Sequence, residues 1–160
     1  MTTITRESIA LRNVKVAHHM SQETTAFTAS LYIAGKKAAI VRNYGRGGDN
    51  WPHFTAPELR EEFFQFCNSL PSTYLNDDGQ PMPLGYDSFI GDLLEDWMEN
   101  DDWKRICKKH IAFKLTTHGE DEYSKYPNQT YTPFIAQHIR ERYGSELVEI
   151  INERFTHKEQ

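Results

Sequence analysis

The stretch ETTAFTASLYIAGKKAAIVRNYGRGGDNWPHF, Glu23 to Phe54, decides the fold. From Phe27 the apolar residues take every second position, Phe27, Ala29, Leu31 and Ile33, with Thr28, Ser30 and Tyr32 between them. Side chains on a strand point to opposite faces with period two, so this is a half-buried strand. Ala34-Gly35-Lys36 supplies a tight turn, because Gly35 takes positive φ at no steric cost. A second strand, Lys37 to Asn43, runs back and ends in the loop Asn43-Tyr44-Gly45-Arg46-Gly47-Gly48-Asp49-Asn50. Three glycines in four positions give that loop a backbone few other sequences can follow.

Upstream, Ile9 and Leu11, then Val14 and Val16, alternate around Arg12-Asn13 and predict one irregular strand paired with the hairpin. Residues 1–7 are polar and are expected to be flexible. The resulting three-stranded meander has one apolar face, which helices must cover. Downstream, Thr55-Ala56-Pro57-Glu58 has the pattern of a capping box, and Phe54 with Leu59 that of a hydrophobic staple. The helix they open carries Leu59, Phe63, Phe66, Cys67 and Leu70 until Pro71 stops it. Residues 71–86, with three prolines and two glycines, are expected to be a long connecting loop.

A second helix is predicted from about Ser88 on the stripe Phe89, Ile90, Leu93, Leu94, Trp97 and Met98. It either breaks at Asn100 or runs on to about Lys109. Ile111–Thr117 alternates as a strand, and Tyr123–Tyr126 offers a return strand after the turn at His118-Gly119-Glu120-Asp121. Thr132-Pro133 starts a further helix, Thr as cap and Pro in the first helical position, and Gly144 ends it. Leu147–Ile151 suits a helix or a strand, and its β-branched residues tilt the choice to strand. The fold expected is a single α+β domain, residues 1–160, with a mainly antiparallel sheet and three to four helices packed on one face.

Bulk composition narrows the function classes. With 160 residues, 38% apolar and 12% aromatic, the chain is one domain's worth and is not disordered as a whole. No apolar run approaches membrane-spanning length. The N-terminus has no basic segment followed by an apolar stretch, so a cytoplasmic location, inside a bacterial host, is expected. Cys67 and Cys107 lie within helical patterns and are expected as reduced thiols. The seven histidines are scattered, with no metal-ligand spacing, so neither metal nor cofactor is expected. The net charge of −5 argues against a dedicated binder of duplex nucleic acid.

Three stretches are candidates for function. The first is the glycine loop, Asn43, Tyr44, Gly45, Arg46, Gly47, Gly48, Asp49 and Asn50, with the adjoining Trp51. Consecutive glycines let backbone N–H groups converge on an anion, and Arg46 can clamp a phosphate or carboxylate. The spacing fits neither a Walker loop nor a dinucleotide fingerprint, so the loop is either a ligand site or a turn that carries the chain to the first helix. The second is acidic: seven carboxylates and no basic residue lie between Asp87 and Asp102, and Asp92, Glu95, Asp96 and Glu99 form a surface suited to a basic partner. Part of that asymmetry is ordinary helix-dipole chemistry, since Lys104, Arg105, Lys108 and Lys109 follow. The third is a set of tyrosines and tryptophans in loops, Tyr44, Trp51, Tyr74, Tyr86, Tyr123, Tyr126 and Tyr131, which suit an interface or close over loop edges. Catalysis has less to stand on, since His118, Glu120 and Asp121 resemble any exposed turn.

The hairpin ending in Ala34-Gly35-Lys36-Lys37, the loop Asn43-Tyr44-Gly45-Arg46-Gly47-Gly48 and the closing Arg142-Tyr143-Gly144 with Ile151-Asn152-Glu153 resemble small proteins encoded by bacteriophages and prophages. That resemblance brings no catalytic residues. It implies an accessory protein without enzymatic activity that inhibits or redirects a host bacterial defence protein by binding it. The alternative is a nucleotide or nucleic-acid binder whose ligand phosphate sits in residues 43–50. Oligomeric state is not legible in the sequence.

Overall fold

The computed structural model describes residues 3–156. The fold is α+β, as expected: the described residues hold three α-helices and nine strands, and the strands pair antiparallel in three sheets. The chain divides into two compact units, the first ending at Trp97 and the second starting at Met98.

The first unit opens with a 3₁₀ turn at Arg6–Ser8, held by Thr5 N–H donating to Ser8 Oγ and that hydroxyl donating to the Thr5 carbonyl. Of the segment expected to be flexible, residues 1–2 lie outside the described residues. Strands β1 (Ile9–Val16), β2 (Phe27–Ile33), β3 (Lys36–Asn43) and β4 (Trp51–Phe54) then form a sheet in sequence order. The alternation of β2 is borne out, since Phe27, Ala29, Leu31 and Ile33 are all buried. The turn has two residues, Ala34 and Gly35, both at positive φ. That is the type I′ geometry that matches strand twist, and Lys36 belongs to β3. The irregularity of β1 is a bulge between Arg12 and Lys15, with Asn13 at φ 52°.

The fourth strand was not anticipated, because Trp51-Pro52-His53-Phe54 is too short to show a period. Its arrival explains why the predicted capping box does not form. β3 carries an extra residue at Ala38, opposite no partner in β2. The Ala38 carbonyl accepts from the N–H groups of Thr55 and Ala56 (2.8 and 3.2 Å), so these donors are satisfied before the helix begins. Helix α1 (Pro57–Ser69) therefore has Ala56 at its N-cap with Pro57 in its first turn, and Glu58 pairs with Lys36 instead of reaching back. Phe54 packs on Phe63 and Phe64.

Residues 71–86 are not a loop throughout. They contain a hairpin, β5 (Pro71–Leu75) with β6 (Pro81–Pro83), followed by the start of α2 (Gly85–Lys109). Phe63 and Cys67 of α1 and Phe89, Ile90 and Leu94 of α2 are buried with the apolar side of the first sheet. Phe89 lies edge-on to both Phe63 and Phe66. α2 does not break at Asn100.

The second unit is smaller. Strands β7 (His110–Leu115), β8 (Ser124–Pro127) and β9 (Leu147–Ile150) make a sheet in the order β8-β7-β9, and α3 (Pro133–Tyr143) packs its Ala136 and Ile139 on Ile111, Phe113 and Ile150. Thr132 caps α3 by accepting from the Ile135 N–H at 3.2 Å, and Gly144 closes it at φ 48°. The strand reading of 147–151 holds for Leu147–Ile150, after which Ile151–Arg154 turns as 3₁₀ helix. Asn152, buried, joins the parts: its Oδ1 accepts from Ala112 N–H, and its Nδ2 donates to the His110 and Cys107 carbonyls.

Candidate functional site

The loop between β3 and β4 is built around one buried side chain, Asn43. Its Oδ1 accepts from the Gly45 N–H and from Thr24 Oγ1, each at 2.8 Å. Its Nδ2 donates to the Gly48 carbonyl and to Asn50 Oδ1, each at 2.9 Å. The amide thus uses every polar direction it has, and it pins both ends of the glycine run. Gly45 and Gly47 sit at φ 80° and 85°. A Cβ on Gly45 would run into the Met20 carbonyl and Ala26, which is why no other residue fits there. The Gly45 carbonyl in turn accepts from the N–H groups of Gln22 and Glu23.

The far side of the loop is fastened to α2. Asn50 N–H donates to Asp87 Oδ1 at 2.8 Å, Asn50 Nδ2 donates to the Asp87 carbonyl, and Tyr86 donates its hydroxyl proton to Asp49 at 2.7 Å. Burial, then the neighbouring Asp49 and Asp87 carboxylates, push the Tyr86 phenol up to about 12. Trp51 stands edge-on to Tyr86 with ring centroids 5.5 Å apart. Neither Thr24, Tyr86 nor Asp87 was singled out as holding this loop. Nothing in the spacing of residues 20–40 positions away could have marked them.

This geometry weighs against an anion cradle. The N–H groups of Gly45 and Gly47 are already engaged, by Asn43 and by Thr24 Oγ1 at 3.3 Å. The Glu23 carboxylate stands where a Cβ of Gly47 would be, so a phosphate would meet a negative charge. What the loop does offer is an outer surface. A cleft of about 420 Å³ is lined by Met20, Asn43, Tyr44, Arg46, Gly48 and Asp49. Tyr44 is 68% exposed, Trp51 44% and Met20 43%, and Arg46 is exposed beside them in sequence.

The four candidate acids on α2, Asp92, Glu95, Asp96 and Glu99, are all exposed. Asp96 is ion-paired with Arg6 at 2.9 Å, and Glu99 accepts from Trp103 Nε1. The spacing of three and four residues puts them on one stripe of the helix. The tyrosines divide: Tyr44 and Tyr74 are exposed, whereas Tyr86, Tyr123, Tyr126 and Tyr131 are half-buried, closing over element edges.

The turn at His118 does bring a histidine to a serine, Ser124 Oγ lying 3.2 Å from His118 Nε2. His118 Nδ1, however, accepts from the Leu115 N–H at 3.0 Å. A neutral ring that accepts at Nδ1 carries its proton on Nε2, so it donates to the serine and cannot take the serine's proton. The Glu122 carboxylate is used by the Gly119 N–H. The pair closes a turn. Both cysteines are free; burial pushes the Cys67 thiol up to about 12 and that of Cys107 to about 11, far from thiolate reactivity at neutral pH. Among the described residues no group of three metal-ligating side chains converges, and no helix is long and apolar enough to cross a membrane.

Comparison with family models, with curated proteins and with solved structures finds no match to this chain.

Proposed function

We propose that this chain is a binding protein without catalytic activity, which acts by occupying a surface of another protein. One observation carries the reading: Asn43 ties the glycine loop at Gly45, Gly48 and Asn50, and that fixed backbone leaves Tyr44 and Arg46 outward, with Trp51 of β4 next in sequence and Met20 lining the same cleft as Tyr44 and Arg46. Tyr, Trp and Arg are the residues that dominate the energetic centres of interfaces, and a fixed backbone loses little entropy when they are covered. In the phage-type reading, the partner is a host bacterial protein, such as a defence factor, that is inhibited or redirected by the contact.

The test is a pull-down from a bacterial lysate with the tagged protein, compared with Tyr44→Ser and Trp51→Ser. Tyr44 is exposed, but Trp51 packs edge-on to Tyr86, so equal urea-unfolding midpoints of the three proteins are established first. The expected result is a partner retained by the parent and lost, by about tenfold or more, from the variants. An identical captured set from all three would remove the loop as the binding face. Thermal-shift screening of nucleotides and short oligonucleotides tests the alternative, because a ligand that binds only the folded state raises its apparent stability.

A further inference from the structure

The hairpin of β5 and β6 is exposed on both faces. Tyr74 is 75% exposed, its neighbour Leu75 60%, and Met82 on the opposite strand 47%. The ladder is irregular between Pro71 and Leu75, yet every residue of both strands except the half-buried Ser72 is exposed, so neither face of the hairpin is covered. A buried core takes neither, although a lone hairpin is marginal in water and gains from covering at least one face.

The hairpin is nonetheless rigidly built. Asn76 Oδ1 accepts from the N–H groups of Asp78 and Gln80, Asn76 N–H donates to the Gln80 carbonyl, and Gly79 at φ 75° closes the tip. At its base, Leu84 N–H donates to the Leu70 carbonyl. Its edges are blunted against strand addition: Pro71, Pro81 and Pro83 have no N–H, and the Tyr74 N–H is taken by Ser72 Oγ. Strand addition is thereby disfavoured, and the exposed side chains are what the hairpin offers a partner.

Charge says what kind of surface that is. Residues 61–97 hold eight carboxylates, Glu61, Glu62, Asp77, Asp78, Asp87, Asp92, Glu95 and Asp96, and no Lys, Arg or His. Asp77 and Asp78 are exposed at the tip, and of the eight only Asp96 forms an ion pair among the described residues. Residues 1–60 carry eight Lys and Arg against four acids, so the negative charge is concentrated in the hairpin, the part of α1 after Arg60 and the first half of α2, not spread over the whole chain. Such a field attracts a basic rim and repels nucleic acid and anionic lipid.

Resting on the reading of the chain as a binding protein, we propose that the 71–83 hairpin inserts into an apolar cleft with a basic rim on the partner protein. Tyr74, Leu75 and Met82 meet the apolar walls of the cleft, and Asp77 and Asp78 engage the basic residues at its mouth. A cleft fits where a flat surface does not, because a flat surface covers one face of the hairpin and leaves the other wet.

The test is photo-crosslinking in a bacterial lysate with p-benzoylphenylalanine placed, in separate proteins, at Tyr74 and at Leu75. The expected result is an adduct to one and the same partner from both positions. Its yield should fall about fivefold or more when NaCl is raised from about 50 to about 300 mM, as screened charge pairs require. Asp77→Lys/Asp78→Lys should lower it by a similar factor, and added poly-L-glutamate should compete where poly-L-glutamine does not. Adducts from Tyr74 but not Leu75, adducts only to a second copy of this chain, or a yield indifferent to salt and charge reversal would each overturn the proposal. If neither position crosslinks while the unmodified protein still retains a partner sensitive to Tyr44→Ser, the hairpin fails and the binding function stands. If no partner is retained at all, both fall.

Discussion

Replacing Asn43 with alanine should damage the first unit far more than any exposed residue of the same loop. The side chain makes four hydrogen bonds of 2.8–2.9 Å from a buried position. At about 1 kcal/mol net for each, their sum sets a ceiling of about 4 kcal/mol. Thr24, Gly48 and Asn50 are accessible enough to bind water in place of the amide, which lowers the loss. The Gly45 N–H is not, because Gly45 is buried under the Met20 carbonyl and Ala26, and a buried donor left without a partner costs about 1–3 kcal/mol by itself. The expected cost of Asn43→Ala is therefore about 2–4 kcal/mol, against a usual few tenths for a surface change.

Asn43→Asp sharpens the test. It keeps the acceptor that serves Gly45 and Thr24, but puts an oxygen 2.9 Å from two other acceptors, the Gly48 carbonyl and Asn50 Oδ1. At neutral pH it should be at least as damaging as alanine. On acidification its deficit should shrink, because a protonated carboxyl can donate where the carboxylate cannot. Urea unfolding followed by tryptophan fluorescence gives the free energies, and amide exchange at Gly45 reports whether the loop opens locally. An Asn43→Ala protein within about 1 kcal/mol of the parent, or an Asn43→Asp protein as stable as the parent at pH 7, would refute the account of how this loop is held.

Two further outcomes follow from the same geometry. Gly45→Ala should cost about 2 kcal/mol or more, from positive φ and the collision with Met20 and Ala26, whereas Gly48→Ala, with open space around it, should stay within about 0.5 kcal/mol; equal costs in urea titration would contradict the assignment of Gly45 as the constrained position. Cys67 and Cys107 have thiols raised from 9.0 to about 12 and about 11 by burial, so the stability they contribute is present below pH 9 and is lost as pH rises through the folded values; alkaline unfolding should begin above pH 9, and at pH 8 Cys67 should react with a disulfide reagent at least about tenfold more slowly in the folded protein than in urea, with equal rates counting against its burial.

How far the sequence could be read depends on whether a feature is local. The alternation of Phe27 to Ile33, the stripe of α2 from Phe89 and the Thr132-Pro133 start all depend on neighbours within a few positions, and all are found in the structure. The capping box at Thr55 fails because both the Thr55 N–H and the Thr55 hydroxyl donate to the carbonyl of Ala38, a bulged residue 17 positions earlier whose offset leaves no trace in the pattern. The hairpin within residues 71–86 is hidden for a different reason. Its prolines read as loop, yet in a two-stranded ribbon both strands are edges, where a missing N–H that would face solvent costs nothing. At the loop, the glycines were legible as a special backbone, but their purpose depends on Thr24, Tyr86 and Asp87, which are brought in by other elements.

That dependence changes the choice between turn and site that the residues alone leave open. A glycine loop that binds an anion must keep its N–H groups free and its surroundings positive. Here Asn43 and Thr24 consume two of those groups, and Glu23, Asp49 and Asp87 lie close by. The backbone is therefore a turn in its energetics. The same bonds fix where Tyr44 and Arg46 project, since a side chain on a loop tied down at Asn43, Gly45 and Asn50 has only its own rotamers to lose on contact. Being a turn is what equips the loop to act as a contact surface, and the two descriptions apply to different atoms of the same residues. Truncating Tyr44 or Arg46 should thus be silent in stability and audible in binding, and changing Asn43 should be the reverse at first order, lowering binding only as far as the loop loses its shape.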